Sequence, residues 1–66
     1  MEQEIKDRIG NTIGIIKGDS NRRYAYDRNG IYLGYYDEQT NATYDERGVV
    51  FALGDSLIGL VYRKGR

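Results

Sequence analysis

The feature that most constrains this chain is a turn signature written three times. Asp7-Arg8-Ile9-Gly10, Asp27-Arg28-Asn29-Gly30 and Asp45-Glu46-Arg47-Gly48 each place an aspartate three residues before a glycine, at spacings of 20 and 18 residues. Four residues beyond each turn glycine stands a small residue: Gly14, Gly34 and Ala52. The segments between are short apolar runs rich in Ile, Val and Tyr, punctuated by Gly, Asp and Asn. Such runs read as short antiparallel strands joined by turns. The expected fold is therefore all-β, one domain over 1–66. It is an antiparallel meander of about seven short strands in repeated β-hairpins (about 3–17, 22–37 and 41–53, with a closing strand at 57–63), curled or barrel-like.

The shared letters specify the turn. Asn29-Gly30 alone suggests a two-residue type I′ hairpin, but Ile9 resists the positive φ that this turn requires. Aspartate first and glycine fourth suit a type I turn whose aspartate accepts backbone N–H groups, closed by a left-handed glycine in a G1 bulge. Each Asp then pairs with the residue after the turn Gly. Simple continuation places Asn11/Ile13/Ile15, Ile31/Leu33/Tyr35 and Val49/Phe51/Leu53 on one face, apolar in eight of nine places and hence the expected core. Ile5, Ala25 and Thr43 are its expected cross-strand neighbours. The same register sets Tyr24 opposite Gly34 and Tyr26 opposite Tyr32, and a tyrosine over a strand glycine recovers lost packing. Tyr24, Tyr26, Tyr32 and Tyr36 thus gather on the second face.

The last segment, Asp55-Ser56-Leu57-Ile58-Gly59-Leu60-Val61, has a cap-like start and helical apolar spacing. Gly59 inside it and the β-formers Val61 and Tyr62 after it favour a strand. Its six-residue run Leu57–Tyr62 is the longest apolar stretch, too short to span a bilayer. With no export signal and no cysteine, the expected compartment is the cytoplasm.

Composition narrows function by subtraction. A chain of 66 residues buries only roughly 60% of its unfolded surface, and domains of this size usually need a staple. Cysteine and histidine are both absent, removing disulfides and the two best zinc ligands together. Association with further copies of the chain is the remaining route, so a homo-oligomer is expected, or docking on another protein. Ten basic and ten acidic residues cancel, leaving no global field to hold nucleic acid or an anionic membrane. The acidic segment Asp37–Glu46 and the basic tail Arg63-Lys64-Gly65-Arg66 read as solvated charge.

Candidate chemistry is thin. The pairs Asp37-Glu38 and Asp45-Glu46 sit in or beside turns, where carboxylates bond backbone N–H groups, and no His or Cys supports catalysis. No enzyme is expected. Asp19-Ser20-Asn21 and Asp27-x-Asn29-Gly30 offer oxygens but lack the length and terminal Glu of an EF-hand loop, so no metal and no cofactor are expected. Asn41-Ala42-Thr43 matches a glycosylation acceptor that an unexported chain leaves idle.

The phrase Tyr26-Asp27-x-x-Gly30-x-x-x-Gly34-Tyr35-Tyr36-Asp37, then Asn41-x-Thr43-Tyr44-Asp45-x-x-Gly48 and Gly54-Asp55-x-Leu57, resembles the four-fold beta flower family of small bacterial β-domains. The likeness covers roughly residues 5 to 62. It implies petal-like hairpins about an approximate four-fold axis and no assigned biochemical activity. In the first repeat Lys6 replaces the Tyr before the turn, making petal one the poorest match.

Two functions follow as expectations. The first is a self-associating domain with a structural or protein-binding role. Its contact residues are Tyr24, Tyr26, Tyr32, Gly34 and Tyr36, with Gly14 and Ala52 permitting close approach of another backbone. The second is single-stranded nucleic-acid binding by the same tyrosines with Arg22, Arg23 and Arg28.

Overall fold

The computed structural model describes residues 1–65. Six strands follow one another: β1 (Glu2–Lys6), β2 (Thr12–Gly18), β3 (Arg22–Asp27), β4 (Tyr32–Asp37), β5 (Ala42–Asp45) and β6 (Val50–Leu53), then helix α1 (Leu57–Lys64). Each strand pairs antiparallel with the next, so the sheet order is the chain order. The sheet stays open: β1 and β6 are its edges. The antiparallel meander of strands is as expected. The seventh, closing strand at 57–63 is not formed, and that segment is α1 instead.

All three turns have the inferred geometry. The carboxylate Oδ1 of Asp7 accepts from the N–H groups of Ile9 and Asn11, at 3.1 and 2.9 Å. Asp27 does the same with Asn29 and Ile31, and Asp45 with Arg47 and Val49, all at 2.8–3.0 Å. The turn glycine N–H donates to the aspartate carbonyl, and the aspartate N–H to the carbonyl of the residue after the glycine. Gly10, Gly30 and Gly48 take φ of 97°, 86° and 82°, the left-handed region that an L side chain resists.

Beyond the turn, each hairpin carries a second irregularity. Ile5 pairs with Gly14 but Lys6 with Thr12, so Ile13 is an extra residue. Leu33 is extra between the pairs Ala25–Gly34 and Tyr26–Tyr32, and Phe51 between Thr43–Ala52 and Tyr44–Val50. An extra residue inverts the in–out alternation downstream. Ile13 and Leu33 are buried and Phe51 packs half-buried against the core, as expected. Past them, however, Gly14, Ile16, Gly34 and Tyr36 turn inward, while Ile15 and Tyr35 do not. Leu53, Ile31 and Val49 are exposed as well. The expected core face is therefore correct only at Ile13, Leu33 and Phe51: Asn11, Ile31 and Val49 before them are exposed beside the turns, and the residues beyond them are inverted.

The helix explains the small residues. Leu57, Leu60 and Val61, spaced three and four apart, fall on one helical face and are fully or nearly fully buried. α1 lies across β2, β3 and β4. A Cβ on Gly14 would stand 2.5 Å from Val61 Cγ1 and 2.8 Å from the Tyr26 carbonyl. One on Gly34 would stand 2.7 Å from Leu60 Cδ2 and collide with the Tyr44 carbonyl. What the two glycines approach is thus the backbone of the chain's own sheet and the side chains of its own helix. Gly59 costs helix propensity of about 1 kcal/mol, yet it faces outward and meets nothing. Burying each of Leu57, Leu60 and Val61 returns about 1.5–3 kcal/mol, so packing outweighs propensity and the segment is helical.

The helix entry is fixed by one buried hydroxyl. Thr43 Oγ1 donates to the Gly54 carbonyl at 2.7 Å and accepts from the Ser56 N–H at 2.8 Å. The Asp55 carboxylate accepts from the Leu57 N–H, and Arg63 and Lys64 occupy the last turn, where cations complement the helix dipole. Leu60→Ala should lower stability by about 2–5 kcal/mol, enough to unfold much of a domain this small. Gly30→Ala, where nothing lies near the new methyl, should cost only the backbone strain of about 1–2 kcal/mol. Denaturant titration of both variants checks this ordering.

Candidate functional site

The sheet has two unlike faces. One is covered by α1; the other is open and carries five tyrosines. Cross-strand pairing sets Tyr24 opposite Tyr35, Tyr26 opposite Tyr32 and Tyr35 opposite Tyr44. The rings form one continuous chain, Tyr26–Tyr32–Tyr24–Tyr35–Tyr44, with centroids 5.9, 6.4, 6.3 and 4.8 Å apart, the last pair stacked. Tilted contacts at these distances suit the ring quadrupoles. Tyr32, the most open of the five, is 36% exposed, and the other four are half-buried by one another.

Cations finish the surface. Arg22 lies over the Tyr35 ring at 4.6 Å and Lys17 over the Tyr26 ring at 5.8 Å, within cation–π range. Arg22 also donates to Asp37 across the β3–β4 end at 2.9 Å. That pairing, then the Gln39 N–H, holds the Asp37 carboxyl below the usual carboxylate range. Burial, then the neighbouring Tyr35, Tyr24 and Tyr26, pushes the Tyr32 phenol up, which keeps that hydroxyl neutral at ordinary pH.

Of the residues expected at a contact surface, Tyr24, Tyr26 and Tyr32 stand together on the open face. Tyr36 does not. The extra Leu33 turns it inward, where its hydroxyl donates to Asn41 Oδ1 at 2.8 Å and the Arg23 guanidinium covers its ring at 4.9 Å. Gly34 lies opposite Ala25, not Tyr24, and with Gly14 it is covered by the helix. Ala52 is half-buried opposite Thr43 on the helix side. Tyr35 and Tyr44 are additions. Tyr44 was legible: it neighbours Thr43, which belongs to the core, so period-two alternation puts it outward. Tyr35 follows only once the bulge is known.

Arg23 leaves the tyrosine face as well, donating to Asp55 at 2.6 Å beside the helix entry. Among the described residues no three His, Cys, Asp or Glu side chains cluster as metal ligands do, and no helix is long and apolar enough to cross a membrane. Comparison with family models, characterised proteins and solved structures returns no match to this chain.

The aspartates that shape the loops carry a pH signature. Asp19 is held low by the Arg22 and Asn21 N–H groups. For Asp45 burial pushes upward, but the Val49 N–H, the Arg47 guanidinium and the Arg47 N–H together bring the carboxyl below its usual value. A folded-state pKa below the unfolded one stabilises the fold fully above the ordinary Asp value, about 3.9. That stability is lost as pH falls through the lower folded values. The urea midpoint should therefore be flat near neutrality and drop below about pH 4. Asp45→Asn should lower the neutral plateau and shrink the acid drop.

Proposed function

We propose that this protein is a small self-associating β-domain with a structural or protein-binding role, and that its open tyrosine face is the contact surface. The continuous five-ring chain carries the reading. A surface of mutually packed aromatics with hydroxyls at its rim is the composition that protein interfaces favour, since tyrosine gives large contact area at small entropic cost. Zero net charge leaves nothing to repel a second copy. Gly14, Gly34, Tyr36 and Ala52 have no part in this surface. The repeated hairpins allow the petal-like assembly that the family resemblance implies, and no reaction is assigned.

Binding of single-stranded nucleic acid is the competing reading, favoured by Arg22 and Lys17 standing over tyrosine rings. Against it, Asp37 neutralises Arg22, and Arg23 faces the other way, paired with Asp55. Arg28 sits in the exposed β3–β4 turn. Analytical ultracentrifugation of wild type and Tyr32→Ser decides the first reading: the variant should associate about twofold to tenfold more weakly, one lost aromatic contact amounting to about 0.5–1.5 kcal/mol. Equal association of the two contradicts it. Titration with short oligonucleotides at low salt should show no binding; salt-sensitive binding would favour the second reading.

A further inference from the structure

The two edges of the sheet are unlike. β1, Glu2-Gln3-Glu4-Ile5-Lys6, is charged, as edge strands that avoid pairing usually are. β6 lies within the run Gly48-Val49-Val50-Phe51-Ala52-Leu53-Gly54, which holds no charge at all. Leu53 is 82% exposed and Val50 53%. Among the described residues no strand flanks β6 on its outer side.

The hydrogen-bonding groups on that outer side follow from the turn. The Val49 carbonyl accepts from the Asp45 N–H, so across the trans peptide the Val50 N–H points away from β5. The Gly54 N–H donates to the Asn41 carbonyl, so the Leu53 carbonyl also points away. A donor at Val50 and an acceptor at Leu53 are thus offered three residues apart. In a regular strand the groups on one side recur every two residues. The extra Phe51 makes the difference, and the face sequence becomes open, helix-side, helix-side, open from Val50 to Leu53. That pattern reads the same in both directions. It matches an antiparallel strand with the same extra residue, which the chain itself provides.

We propose that β6 is a pairing edge for a second copy of this chain, joined antiparallel about a two-fold axis between Phe51 and Ala52, with Val50 opposite Leu53. The Val50 N–H of each copy donates to the Leu53 carbonyl of the other. The two apolar side chains of each pair meet on the open face, extending the tyrosine surface past Tyr44 across both molecules. The inference rests on the self-association reading only in taking a second copy as partner; the edge, not the tyrosine face, makes the junction.

The chain has no cysteine, so the register is readable by cross-linking. Directly opposed residues lie about 5.5 Å apart at Cα, within reach of a disulfide. Val50→Cys mixed with Leu53→Cys should give the mixed disulfide well ahead of either like pair. Leu53→Lys, at a site too exposed to be needed for folding, should weaken association about a hundredfold, because two leucines leave each junction. If wild type associates while Leu53→Lys associates equally and like pairs cross-link as fast as the mixed pair, the edge inference falls and the tyrosine reading stands. If Leu53→Lys disrupts association but Tyr32→Ser does not, the edge is supported and the tyrosine reading falls. A wild type monomeric at every concentration overturns both.

Discussion

The structure depends on one contact, the seating of α1 on a floor of glycine. Val61 and Leu60 occupy the space that side chains at Gly14 and Gly34 would fill. Among the described residues Leu57, Leu60 and Val61 are, with Thr43, the largest fully buried side chains. The apolar helix face has only Leu57, Leu60 and Val61, and an isolated eight-residue helix containing a glycine is far below the length that persists in water. Helix and sheet therefore form together or not at all. The repeated bulge makes that possible: one extra apolar residue per hairpin adds core volume with Ile13, Leu33 and Phe51 and, in the first two hairpins, then brings the glycine underneath the helix.

From this follows the asymmetry of the molecule. Once Gly34 and Tyr36 face the helix, Tyr24, Tyr26, Tyr32, Tyr35 and Tyr44 have no element of their own chain to cover them. They pack in tilted and stacked pairs along the sheet and take what shelter they can from Arg22 and Lys17. A single-layer sheet with one helix is thin for a chain of this size. The open face and the uncharged β6 edge are where further burial is available, and the functional proposals are built on them.

Much of the fold was legible in the sequence because its turns carry their own chemistry. Aspartate, glycine and their spacing gave the turn type, the two hydrogen bonds to each carboxylate and the pairing immediately beside each turn. Ile5, Ala25 and Thr43 were recognised as core, as were Ile13 and Leu33. What failed was propagation. A bulge one residue further on has no letter of its own; its trace is only an apolar third residue followed by a small fourth one. Missing it reversed every side chain beyond, sending Tyr36 to the wrong face and Tyr35 to the core. The helix was missed for a related reason: propensity at Gly59 spoke locally, while the burial that overrides it depends on glycines 25 and 45 residues away.

The most direct measurement of this account is the proton–proton proximity between helix and sheet in solution. Nuclear Overhauser spectra should show strong cross-peaks from the Gly14 α-protons to the Val61 methyls and from the Gly34 α-protons to the Leu60 methyls. Sequential amide–amide contacts should run from Leu57 to Lys64. Cross-peaks from Leu57–Val61 to a neighbouring strand in a ladder pattern, with none to Gly14 or Gly34, would contradict it.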